Sequence, residues 1–167
     1  AALVAARGRS AAFADSWRRS DAITALTRRL AGDESGEAVA RALLSQTDWL
    51  GGLLDVPLTE LTADSLFEAP YRCSRDSART GAVLYDGPRA SISTTVVRAR
   101  SGGGAAQSGC VVAAGRLSFT RYFGAEGALI ERWFVGRPND PFIAGEAQAA
   151  RALPPLTLME GQIVRHD

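Results

Sequence analysis

The spacing of apolar residues changes once along this chain, at Pro70, and that change constrains the fold more than any other feature. Up to Phe67 apolar residues recur at helical intervals; beyond Pro70 they fall in short β-prone runs separated by turn residues. The expected class is therefore α+β. A helical segment over residues 1–68 should pack on an antiparallel β-rich part over 70–167, arranged as a sandwich or partly closed barrel.

In the first part Leu3, Ala6, Phe13 and Trp17 lie near one helical stripe. Ser20 or Asp21 can cap a second helix carrying Ile23, Leu26 and Leu30, and Gly32 should end it through left-handed backbone geometry. Ser35 offers the next cap, with Glu37 in the first turn. Val39, Leu43, Leu50 and Leu54 then continue a third helix bent at Gly51–Gly52, and Pro57 and Thr59 open a fourth running to Phe67. About four helices result.

After Pro70, Asp86–Gly87–Pro88 is a strong turn signal between two strand-like runs. SGGGAAQSG at 101–109 reads as a loop, PNDP at 138–141 as a turn, and 142–153 as loop or short helix. Leu156–Leu158 and Gln162–Arg165, split by Glu160–Gly161, read as a closing hairpin. The expectation is roughly six to eight strands, antiparallel wherever short turns join them.

The segment RLSFTRYFGAEGALIERWFVGR (116–137) crowds Phe119, Tyr122, Phe123, Trp133 and Phe134 among arginines. A hairpin closed at Gly124–Gly127 would set Arg121 opposite Ile130 and Arg132 opposite Phe119, on one face. Tyr122 and Trp133 would occupy the other. Both faces are then mostly apolar, the pattern of a strand pair covered on two sides. The same residues also suggest a ligand surface, with Arg121 and Arg132 gripping an anion and Tyr122 and Trp133 as aromatic platforms. A buried arginine on this face needs a carboxylate or bound anion. Glu60, Asp64 and Glu68 of the helical part are the candidate acids.

The inventory of chemical groups excludes a good deal. All nineteen basic residues are arginines, so Schiff-base, phosphate-loop and general-base lysines are ruled out. A single histidine, His166, sits next to the last residue, which rules out a multi-histidine metal site. Cys73, between Arg72 and Arg75, reads as a small buried thiol, and Cys110 as core. No metal site and no cofactor are expected. Asp76, Asp86 and Glu131 are the acids available to a metal-independent reaction using carboxylates and arginine.

Eighteen acidic residues leave a formal charge of +1, with no concentrated basic stretch of the kind that nucleic-acid binding requires. No apolar run approaches the ~20 residues that span a bilayer. Sparse cysteine fits a reducing cytoplasm, and the abundance of Ala, Arg and Gly fits a high-GC bacterial source. The chain opens on Ala1 and is expected to be a fragment of a longer protein. The leading functional expectation is a non-catalytic binding or interaction module of a larger bacterial protein. Its expected partners are other domains of that protein or a separate protein, not nucleic acid or membrane. A carboxylate–arginine enzyme and a structural or oligomerisation domain are the alternatives.

Overall fold

The computed structural model describes residues 2–32, 34–77, 79–98, 117–134 and 149–166. The chain divides into two compact units, Ala1–Gly103 and Gly104–Asp167. It is α+β: helices come first, antiparallel strands follow, and the change near Pro70 lies inside the first unit. Among the described residues no sheet closes on itself, and no helix is long and apolar enough to cross a membrane.

In the first unit, α1 (Ala2–Arg18) buries Ala6, Ser10 and Trp17, with Phe13 half-buried on the same stripe. Leu3 stays outside. The stripe lies against the chain that follows the helices. The Phe13 and Phe67 rings meet edge-on at 5.0 Å, Trp17 meets Tyr71 edge-on at 6.3 Å, and the buried Ser10 hydroxyl accepts the Glu68 N–H at 3.0 Å. Arg9 pairs with Asp64 at 2.5 Å and holds its carboxyl below the usual carboxylate range.

In α2 (Asp21–Ala31) Ser20 is the cap, accepting the Ile23 N–H at 3.4 Å. The expected left-handed glycine stop does not occur, because Gly32 is extended at φ −64°. The helix end is closed from a distance. Arg89 donates to the carbonyls of Ala31 and Gly32 at 3.2 and 3.1 Å, taking up acceptors that every helix leaves without an internal partner.

α3 (Gly36–Ser45) starts at its Ser35 cap, whose hydroxyl accepts the Ala38 N–H at 3.2 Å. It stops well before the expected bend at Gly51–Gly52. The Trp49 indole donates to the Leu43 carbonyl at 2.8 Å, fixing the break between the helices. α4 (Trp49–Ala63) then runs straight through Pro57, which was expected to open a helix and instead lies inside one. Proline has no N–H to give the carbonyl four residues back. That carbonyl belongs to Leu53, and the Tyr71 hydroxyl donates to it instead.

β1 (Arg72–Arg75), β2 (Arg79–Asp86) and β3 (Ser91–Val97) form one antiparallel sheet in that order. The Asp86–Arg89 turn joins β2 and β3 as expected, with Gly87 N–H on the Ala90 carbonyl at 3.0 Å. Trp17, Leu26, Val39, Leu43 and Leu53 of the helices share one core with Leu84 of β2. Helices and sheet are thus one folded body.

The second unit differs from the expected pair of hairpins. β4 (Ser118–Arg121) pairs with β7 (Ile163–His166), and β5 (Leu129–Phe134) with β6 (Arg151–Thr157). Between the ladders the Tyr122 N–H donates to the Gln162 carbonyl, the Gly161 N–H to the Tyr122 carbonyl and the Gly127 N–H to the Leu158 carbonyl, at 2.9–3.0 Å. Residues 117–134 and 151–166 therefore run antiparallel along their length, and GAEG and MEG are facing kinks, not hairpin turns. Gly124, Gly127 and Gly161 have positive φ, which lets both strands turn sharply together. Pro154 and Pro155 stand opposite the single residue Glu131, a bulge where two prolines give up their ladder donors. Residues 151–153, expected in loop or helix, begin β6. The expected loop at 101–109, turn at 138–141 and Cys110 lie outside the described residues.

Candidate functional site

The four residues singled out as a ligand surface fall on two separate ladders. Arg121 ends β4 opposite Ile163, half-buried, with its guanidinium carbon 4.8 Å from the Phe123 ring centre. Tyr122 follows it, anchored through its backbone to Gly161 and Gln162. Burial pushes its phenol pKa up, against a lowering contact from Thr120. Arg132 lies on β5 opposite Leu153 and Trp133 opposite Ala152, so the register that set Arg121 opposite Ile130 and Arg132 opposite Phe119 is not formed.

Nor does Arg132 need a buried acid. It is exposed, and its Nε donates to the Pro154 carbonyl at 3.1 Å, an acceptor that the proline bulge turns outward. Two of the three candidate acids are taken within the first unit, Asp64 by Arg9 and Glu68 by Arg7. Beside Arg132, Trp133 is 46% exposed and Phe134 53%, and the Arg151 guanidinium sits 5.7 Å from the Phe134 ring centre. β5 and β6 thus present Arg132, Phe134 and Arg151 together on one exposed face, with Trp133 on the other.

The acids proposed for catalysis do not converge. Asp76 sits in the β1–β2 turn, accepting the Arg79 N–H at 2.6 Å and lying 3.4 Å from Arg79 Nε. Asp86, at the far end of β2, pairs with Arg72 at 2.6 Å. At the rise of an extended strand, the length of β2 separates them by about 23 Å, more than twice the ~10 Å that hydrolytic carboxylate pairs span. Glu131 is exposed on the second unit. Cys73, expected to be buried, is exposed on the outer strand β1. His166 ends β7 opposite Ser118.

One concave feature was not legible in the sequence. Ser74, Arg75, Asp76, Arg79, Gly81 and Thr95 line a cleft of about 320 Å³ at the turn end of the β1–β2–β3 sheet. Its residues come from three strands and a turn, so no linear motif announces it. The one hint is a glycine inside a strand, which often marks a place where something approaches the backbone closely. Among the described residues no group of three His, Cys, Asp or Glu side chains is placed to hold a metal ion. No known protein family, curated protein or solved structure matches the chain.

Proposed function

We propose that this chain is a non-catalytic ligand-binding or interaction module of a larger bacterial protein, acting in the cytoplasm on a protein partner or on other domains of the same protein. In this reading the strand-rich part completes an antiparallel sandwich or partly closed barrel. The observation that carries it is the exposed group Arg132, Phe134 and Arg151 on one face of β5 and β6. Aromatic and arginine side chains are the groups enriched in interface cores, where a ring supplies buried area and a guanidinium recognises carboxylates. The separation of Asp76 from Asp86 weighs against the enzyme reading.

The test is a thermal-shift series on the full chain with small aliphatic and aromatic carboxylates. Stabilisation of the wild type that Arg132→Ala and Phe134→Ser both abolish supports the reading, and a wild type indifferent to every carboxylate counts against it. A second reading, self-association, draws on Val96 and Val97, each 66% exposed on β3 at the edge of its sheet. Sedimentation velocity of wild type and Val96→Lys separates the two.

A further inference from the structure

Three residues in register across the first unit's sheet form the floor of the cleft. Ser74 of β1 pairs with Gly81 of β2, and Gly81 pairs with Thr95 of β3. Directly cross-strand side chains share one face of a sheet, so two hydroxyls flank a position that has no side chain. A Cβ built on Gly81 would lie 3.2 Å from Thr95 Oγ1 and 3.4 Å from Ser74 Oγ. Both hydroxyls therefore lean over the glycine, and any larger residue would fill the space between them.

Arginines rim this floor. Arg79 stands two residues before Gly81 on the same strand, hence on the same face. Asp76 holds its Nε end and accepts its backbone N–H, which fixes the turn and leaves the terminal guanidinium nitrogens as donors. Arg75 also lines the cleft, from the last position of β1, and enters no ion pair among the described residues. Arg98 follows Val97, the strand partner of Arg79, at the same end of the sheet. Among the described residues this end gathers Arg75, Arg79 and Arg98 against the single acid Asp76, whereas at the opposite end Arg72 and Asp86 balance each other.

From this arrangement we infer that the cleft binds a phosphate monoester of a small molecule. The Arg79 guanidinium and the two hydroxyls reach the floor from separate directions, a donor set matched to a tetrahedral dianion with several acceptor oxygens. A carboxylate would fill the Arg79 fork with its two oxygens and leave both hydroxyls unused. The acid at the site is already occupied by Arg79, which reduces its repulsion of an anion. The volume of about 320 Å³ leaves room beyond the phosphate for an attached group. The cleft belongs to the first unit and the β5–β6 surface to the second, and the inference holds whether or not that surface binds a partner.

The experiment is amide NMR on the full chain, titrated with phenyl phosphate, with inorganic phosphate, and with sodium chloride at matched ionic strength. Phenyl phosphate should shift the Gly81 and Thr95 amides saturably, and inorganic phosphate more weakly. Thr95→Val and Arg75→Gln leave the Asp76–Arg79 turn intact. Each should weaken phenyl phosphate by about tenfold, the scale of one hydrogen bond to a charged group, with the remaining spectrum unchanged. Shifts that chloride reproduces, or affinities that both variants leave untouched, overturn the site. An ester that binds no better than inorganic phosphate overturns the monoester assignment.

Discussion

The Tyr71 hydroxyl donates its hydrogen bond to the Leu53 carbonyl, the acceptor that Pro57 leaves open within α4. Leu53 is only 1% exposed, so without Tyr71 that carbonyl would be a buried acceptor with neither helix nor water to satisfy it. The bond also ties the segment leading into β1 to α4. Tyr71→Phe should cost about 1–2 kcal/mol in urea unfolding. With Pro57→Ala restoring an N–H inside the helix, the same change should cost less than about half as much. Equal costs in both backgrounds would show that the bond does not compensate for the proline.

Burial raises the Tyr71 pKa from 10.0 to about 12. Since the folded value is the higher, the folded chain holds this proton more tightly than the unfolded chain. Its contribution to stability is whole below pH 10 and is lost as pH rises toward 12. Wild type should therefore lose more stability than Tyr71→Phe between pH 9.5 and 11.5, a window chosen around those values. Parallel melting curves for the two proteins would remove the linkage.

Gly161 holds φ +69° and donates its N–H to the Tyr122 carbonyl at the facing kinks of the second unit. Gly161→Ala should cost about 1–2 kcal/mol, because a Cβ strains left-handed backbone. Gly161→Asn should cost less, since asparagine tolerates that region better. Urea midpoints of the two variants give the comparison, and a silent alanine would mean that the kink relaxes freely.

Arg89 closes the end of α2 from the β2–β3 turn. Arg89→Ala should lower stability by about 0.5 kcal/mol, the scale of a cation at a helix carboxyl terminus. Hydrogen exchange should show the loss at the last turn of α2, with the centre of that helix protected as before. Uniform loosening of α1 to α4 would contradict a local cap.

Arg132 is exposed and bonds a single carbonyl. Arg132→Ala should therefore change stability by no more than about 0.5 kcal/mol, as at other surface positions. A loss above about 2 kcal/mol would reveal a buried ionic role.

What could be read from the sequence was local. The caps at Ser20 and Ser35 and the Asp86–Arg89 turn involve groups a few residues apart, so their chemistry settles them before any tertiary contact forms. The switch of period at Pro70 announced the α+β class for the same reason. The second unit shows the limit of local reading. GAEG carries two glycines able to close a hairpin or to kink a strand, and both uses need positive φ. The choice belongs to residues 151–166, whose backbone pairs with 117–134 across a wide sequence gap. Pro57 signals a helix start when read alone, yet Tyr71 makes it a helix interior; Gly32 signals a left-handed stop, yet Arg89 caps an extended one. The cleft over Gly81 exists only where three strands come into register. Capping and period are energies between neighbours in the chain, whereas strand pairing, a borrowed donor and a shared floor are energies between distant residues, and only the folded chain sets those.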